Sequence, residues 1–291
     1  NMVNLYNFKN TYKGKKILIT GNTGFKGSWL SVWLKELGAK VYGLSIDIPS
    51  GNSMYNILNI EKKIETNFQD INNYDNLLDT INNIKPDFIF HLAAQAIVIN
   101  SYLEPINTFE TNVLGTVKLL EALRVLNIKT NVVVVTSDKC YENNEWVWGY
   151  KETDPMGGRD PYSSSKGCSE LVTASYRESF LKGASIGVAT ARAGNVIGGG
   201  DWAEDRLIPD ILSAFEASKP VVIRNPNATR PWQHVLEPLS GYLMLAEQLF
   251  INPGEFSEGW NFGPYDRDVR PVDWILDQMT TLWPGASWRL D

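Results

Sequence analysis

The sequence predicts an α/β protein built on a doubly wound parallel sheet, with a smaller C-terminal portion attached. Three observations lead there. Short apolar runs alternate with amphipathic stretches as far as about Arg192. The glycine-rich string Gly21-Asn22-Thr23-Gly24-Phe25-Lys26-Gly27 joins the first apolar run to a helix. After Ala191-Arg192 the alternation gives way to glycine-, proline- and tryptophan-rich sequence. A βα alternation builds a parallel sheet with right-handed crossovers, and its break marks a change of architecture.

Lys16–Thr20 reads as the first strand, residues 41–45 as the second, 87–91 as a later one and 132–136 as the next. The run Asn131-Val132-Val133-Val134-Val135 is apolar enough to be buried on both faces. Helices are expected over 28–37, Tyr74–Ile84 and 112–126 between the strands, and over 207–218 in the later part. Segments 235–249 and 259–263 are expected to return to the core, giving a cofactor-binding domain over 13–192 and a substrate-binding portion over 193–291. Repeats and low-complexity linkers are not evident.

Chemistry concentrates in two strings. Thr136-Ser137-Asp138-Lys139-Cys140-Tyr141 follows the buried run, so a hydroxyl, a carboxylate and an amine emerge at a strand's carboxyl end, where open α/β sheets bind ligands. Tyr162-Ser163-Ser164-Ser165-Lys166 sets a phenol and an amine on one helical face, where the Lys166 charge is expected to lower the pKa of Tyr162. Each residue has an ordinary use as well: Tyr162 as a helix-surface tyrosine, Asp138 as a turn cap, Lys139 as half of a salt bridge. In the glycine string, Gly21, Gly24 and Gly27 let the backbone turn tightly and approach a pyrophosphate seated on a helix N-terminus.

Composition narrows the options. A net charge of −6 without a basic run argues against a nucleic-acid partner, and no apolar stretch reaches the length of a membrane span. The polar start Asn1-Met2-Val3-Asn4 does not read as a signal peptide. Two cysteines, Cys140 and Cys168, suit a reducing compartment, and a cytoplasmic location is expected. His91 and His234 lack metal-ligand spacing, so no metal site is expected, and His91 is read as satisfying a strand end. The tryptophans at 146, 148, 202 and 232 are read as packing, with one or two lining a ligand.

Taken together, G-x-x-G-x-x-G, the buried strand ending in Ser137-Asp138 and Y-x-x-x-K resemble the extended short-chain dehydrogenase/reductase superfamily, whose fold is of Rossmann type. Longer strings narrow the likeness: Gly24-Phe25-Lys26-Gly27-Ser28-Trp29-Leu30, Ser137-Asp138-Lys139-Cys140-Tyr141-Glu142-Asn143, Trp146-Val147-Trp148-Gly149-Tyr150, the run from Ala193 to Trp202 and the run from Arg230 to Pro238. These resemble the CDP-glucose 4,6-dehydratase family. The resemblance implies an NAD-dependent hydro-lyase that oxidises C4 of CDP-glucose, eliminates water across C5–C6 and returns the hydride to C6. It implies Tyr162 as the base for the C4 hydroxyl, Lys166 as its partner, Ser137 as a hydrogen-bond donor to the C4 oxygen, Asp138 as the acid for the departing C6 hydroxyl and Lys139 as the base at C5. Asp138 would need a raised pKa and Lys139 a depressed one.

The same resemblance implies cofactor contacts from Gly21, Thr23, Gly24, Phe25, Lys26 and Gly27, from Asp70-Ile71, from Leu92-Ala93-Ala94-Gln95, and from Tyr162 and Lys166, the last holding the nicotinamide ribose. Ser45 takes the tip of the second strand, Asp47 follows two residues later and no arginine stands nearby, which favours NAD over NADP. Substrate contacts are implied for Asn195, Leu207, Ile208, Arg224 and Arg230. A homodimer through helices 112–126 and 162–181 is expected, with a tetramer as the higher alternative. Two departures stand out: Ile99-Asn100 occupies the place of a family arginine, and the chain stops at Asp291, short of the family's C-terminal portion. A chain truncated there is expected to bind NAD but to bind and turn over CDP-glucose weakly. A 4-epimerase or reductase is the competing enzyme reading, and a catalytically impaired cofactor-binding scaffold the reading from another class.

Overall fold

The computed structural model describes residues 8–183, 185–203 and 205–291, so the polar start that was weighed against a signal peptide lies outside the described residues. Seven strands form the central sheet: β1 (Lys16–Thr20), β2 (Lys40–Ser45), β3 (Glu65–Phe68), β4 (Phe88–His91), β5 (Thr130–Val135), β6 (Ile186–Ala193) and β7 (Gly259–Phe262). Their spatial order is β7-β6-β5-β4-β1-β2-β3, and every neighbouring pair is parallel. The order reverses between β1 and β4, and such a reversal opens a crevice at the strands' carboxyl ends.

Successive side chains of a strand point to opposite faces, and both faces here are apolar. Ile17, Ile19, Phe88, Phe90, Val133, Val135, Ala189 and Ala191 enter one core. Leu18, Ile89, Val132, Val134, Ile186 and Val188 enter the other. The first core is closed by Leu30 and Leu34 of α1 (Phe25–Glu36), and the second by Leu77 and Ile81 of α2 (Tyr74–Ile84) and by α3 (Gly115–Leu126). Residues 161–176 form α4 (Pro161–Tyr176). The longer of the later helices are α5 (Leu207–Glu216), α6 (Leu236–Ile251) and α7 (Val272–Leu282). Helix α6 gives Leu239, Tyr242, Leu243 and Leu249 to the first core. A third, separate core of Ile211, Phe215, Val221, Ile223, Val272, Ile275 and Leu276 holds the later part together.

Several boundaries differ from the sequence reading. Helix α1 begins at Phe25 rather than 28, because extended Gly24 acts as its cap and its carbonyl accepts the Ser28 amide at 2.8 Å. The helix expected over 112–126 is regular only from Gly115, and a π turn over Glu110–Leu114 precedes it. Strand β3 is half-exposed and polar, so it carries no apolar run to announce it.

His91 ends β4 and is buried, with Nδ1 2.7 Å from Thr20 Oγ1 and Nε2 3.3 Å from Thr116 Oγ1. Burial first, and the Lys166 charge second, push its pKa from 6.5 down to about 3. A histidine held neutral this way gives stability that is present above pH 6.5 and is lost as pH falls toward 3. We expect stability to drop by about 1.4 kcal/mol per pH unit through that window. His91→Asn should flatten the slope in denaturant melts taken across it; an unchanged slope would assign acid sensitivity elsewhere.

Candidate active site

A cleft of about 850 Å³ opens at the carboxyl ends of the strands, and the loops after β1 to β6 all contribute to its wall. The glycine loop needs its glycines where backbones nearly touch. Gly21 sits at φ +75°, and a Cβ there would lie 2.7 Å from the Ala93 nitrogen; one on Gly27 would lie 2.1 Å from the Gly21 carbonyl oxygen. A buried Asn22 props the loop, donating to Thr66 Oγ1 at 2.9 Å and accepting from Ser45 Oγ at 2.9 Å. Ser45 also accepts the Thr23 amide at 3.3 Å, and Thr23 Oγ1 donates to the Asp47 carbonyl at 2.6 Å. The tip of β2 therefore holds the loop itself.

Every residue read as a cofactor contact lines this cleft: Gly21, Thr23, Gly24, Phe25, Lys26, Gly27, Asp70, Ile71, Leu92, Ala93, Ala94, Gln95, Tyr162 and Lys166. The segments after β2 and β3 bring the carboxylates Asp47 and Asp70 and no cation to the wall. Asn112, in the π turn, accepts the Gln95 amide at 2.8 Å and donates to the Gln95 carbonyl at 3.1 Å and to Ser165 Oγ at 2.8 Å. The turn thus ties the loop after β4 to α4.

Ser137, Asp138, Lys139, Tyr162 and Lys166 meet on one stretch of the wall. Extended Ser137 caps a short 3-10 turn over Asp138–Cys140, accepts the Lys139 amide at 3.2 Å and donates from Oγ to Asp138 Oδ1 at 3.0 Å. Opposite, Asp160 caps α4 by accepting the Ser163 amide at 2.9 Å, and Pro161 starts the helix, so Tyr162 lies in its first turn. Lys139 Nζ and Lys166 Nζ each lie 5.9 Å from the Tyr162 ring centre.

Electrostatics at these groups follow from enclosure. Burial raises the Asp138 pKa, against the lowering influences of the Ser137 hydrogen bond and of the Lys139 and Lys26 charges, as a general acid requires. Burial pulls Lys166 down to about 8. Tyr162 moves opposite to the sequence expectation. Burial pushes it up to about 12, with the Ser137 hydrogen bond as the leading lowering influence and the Asp138 charge adding to the rise. The Lys166 charge is not among the leading influences on it, because desolvation of a phenolate is the larger effect.

Asn195, Leu207 and Ile208 line the cleft, whereas Arg224 and Arg230 are exposed and lie off its wall. Trp202 and Trp232 line it; Trp146 and Trp148 stack on each other at 5.5 Å away from it. Asn100 reaches the wall and Ile99 does not. Two cations escaped the sequence reading of the chemistry. Arg206 lines the cleft and pairs with Asp201 at 2.9 Å; its position directly before Leu207-Ile208-Pro209 was the available signal. Lys26 had been read only as part of the glycine loop. Its Nζ lies 3.4 Å from the buried Tyr242 hydroxyl, and its charge acts on Asp138.

A Rossmann-type sheet, a glycine cradle and two acid/base groups on one cleft wall define an enzyme of the extended short-chain dehydrogenase/reductase kind. Residues 18–254 match the family model described as GDP-mannose 4,6 dehydratase. The CDP-glucose 4,6-dehydratase of Salmonella typhimurium is 55% identical over 97% of this chain and 80% of its own length. The dTDP-glucose 4,6-dehydratase of Bacillus anthracis, solved in complex with NAD, superposes with a TM-score of 0.79 at 21% identity, over 96% of this chain and 85% of that one. The UDP-glucose 4-epimerase of Thermotoga maritima, solved with UDP-glucose, gives 0.79 at 22% identity, over 94% and 85%. The last two show the shared fold. The chain belongs to the family of sugar-nucleotide 4,6-dehydratases. Among the described residues, no helix is long and apolar enough to cross a membrane.

Proposed function

We propose that this protein converts CDP-glucose to CDP-4-keto-6-deoxyglucose with NAD as a recycled cofactor. The observation that carries the reading is the placement of Asp138-Lys139, after the Ser137 hydroxyl, against Tyr162 and Lys166 on one wall, because a 4-epimerase needs no acid/base pair there. The relative that shares 55% identity supports the choice of substrate. NAD fits the residues present: the Gly21–Gly27 loop lines the cleft at the start of α1, and carboxylates without a cation follow β2 and β3. The chemistry that bound NAD would supply is acceptance of the C4 hydride and its return to C6.

Tyr162 removes the C4 hydroxyl proton while Ser137 donates a hydrogen bond to the same oxygen. Oxidation makes the C5 proton acidic, since its carbanion is an enolate of the C4 ketone. Lys139 removes that proton, and Asp138, whose carboxyl burial holds above the usual carboxylate range, supplies one to the departing C6 hydroxyl. Asn195, Leu207 and Ile208 hold the sugar nucleotide, with Arg206 as the cleft-lining cation for its diphosphate. Arg224 and Arg230, which the resemblance implies for the base and diphosphate, stand exposed beyond the cleft wall, so the reading does not rest on them.

Incubation with CDP-glucose and NAD should yield a 4-keto sugar with no net NADH; stoichiometric NADH, or a C4 epimer, would overturn the reading. We also propose a homodimer through the faces of α3 and α4. Leu171, Phe180 and Val125 are large apolar side chains left exposed there. Light scattering should report twice the chain mass at micromolar concentration, and a monomer would contradict it.

A further inference from the structure

Helix α4 carries Tyr162 and Lys166 on the cleft, but its next turn holds a carboxylate with no part in the chemistry described above. Glu170 lies four residues past Lys166, buried, with both oxygens engaged. Its Oε1 accepts from the hydroxyl of Thr136, the residue immediately before Ser137. Its Oε2 accepts from Thr190 Oγ1 at 2.6 Å and from Arg192 Nη2 at 2.8 Å, both on β6. Arg192, itself buried, donates from Nη1 to the Tyr141 hydroxyl at 2.6 Å and to the Glu152 carbonyl at 3.0 Å. Tyr141 in turn donates to Asn261 Oδ1 on β7 at 2.7 Å.

This network grips both ends of the Ser137-Asp138-Lys139-Cys140 turn, at Thr136 before it and at Tyr141 after it, and fastens both to the helix that bears Tyr162. A buried ion pair is a weak contributor to net stability, because desolvating two charges offsets their attraction. What it does supply is fixed geometry, since the bonds to Glu170 and from Arg192 are charge-assisted and directional. We propose that Glu170, paired with Arg192, is a positioning residue that sets the distance between the Ser137-Asp138-Lys139 turn and the Tyr162-Lys166 helix. The proposal rests on the dehydratase reading, in which both groups must address one sugar in sequence.

Thr136→Val tests it most cleanly, since it keeps the size of the side chain and removes only the hydroxyl that joins the turn to Glu170. With Ser137 released, the Ser137–Tyr162 hydrogen bond should weaken, and the Tyr162 phenol should ionise at higher pH. The other charged groups that act on this phenol, Asp138, Arg206 and Asp160, are untouched by the change, as are Lys139 and Lys166 near its ring. Ultraviolet difference titration against Tyr162→Phe reads this directly and needs no substrate. With CDP-glucose, kcat should fall by about 10- to 100-fold at nearly unchanged KM, the cost of a small misplacement of reacting groups. Thr136→Ser should restore both readouts, and Glu170→Gln should reproduce the loss. A Thr136→Val protein with wild-type titration and wild-type kcat, differing only in melting temperature, would reduce the network to a structural role. Should Glu170→Gln fail to fold, the two Thr136 variants decide alone. Should the wild-type protein leave CDP-glucose unchanged, the substrate reading fails while the phenol titration still decides the positioning role.

Discussion

Asp138→Asn is expected to stop the reaction halfway. The carboxamide keeps the shape of the side chain and can still accept the Ser137 hydroxyl, now 3.0 Å from Asp138 Oδ1, so the turn should hold its form. What disappears is a carboxyl able to deliver a proton, a role that its burial-raised pKa favours. Oxidation at C4 relies on Tyr162 and Ser137 and should survive. Expulsion of the C6 hydroxyl should slow by ~10²–10⁴-fold, the usual worth of a positioned acid. A single-turnover experiment should then show reduced cofactor accumulating while product formation lags. Equal loss of both steps would mean that Asp138 holds the substrate or the turn rather than delivering a proton.

Tyr162→Phe should give the opposite pattern. Loss of the phenol removes the base from the first step, so no reduced cofactor should appear, and turnover should drop by ~10²–10⁴-fold. NAD affinity should change little, because the glycine loop and the residues after β2 to β4 that line the cofactor end are untouched. Because burial holds the phenol up to about 12, the rate of C4 oxidation in the parent protein should rise as pH increases below that value. Stopped-flow absorbance of the reduced cofactor across a pH series checks both statements. A flat profile, or rapid reduction in Tyr162→Phe, would move the base elsewhere.

Much of the site was legible because its members are neighbours in the chain. Ser137, Asp138 and Lys139 are consecutive after a strand that is apolar on both faces, and Tyr162 and Lys166 are one helical turn apart. The parallel sheet was legible for the same reason: a doubly buried strand such as Thr130–Val135 is apolar at every pleat. Contacts between distant segments left no such mark. Lys26 meets Tyr242 across 216 positions, and neither residue type announces the other. Glu170 and Arg192 look like ordinary surface charges until α4 packs on the sheet and buries both. The direction of the Tyr162 shift failed because charge is written in the sequence and desolvation is not. In the later part, the paired segments Val196–Ile197 with Gln233–His234 and Thr229–Arg230 with Arg270–Pro271 are two residues long, too short for any periodicity to show.

The central claim is that one cleft oxidises C4 and then reduces C6 with the same hydride. CDP-glucose carrying deuterium at C4 tests it most directly. The product should be a 4-keto-6-deoxy sugar with deuterium at C6, formed within one turnover and without labelled NADH leaving the protein. Deuterium retained at C4, or released into free cofactor, would contradict the account.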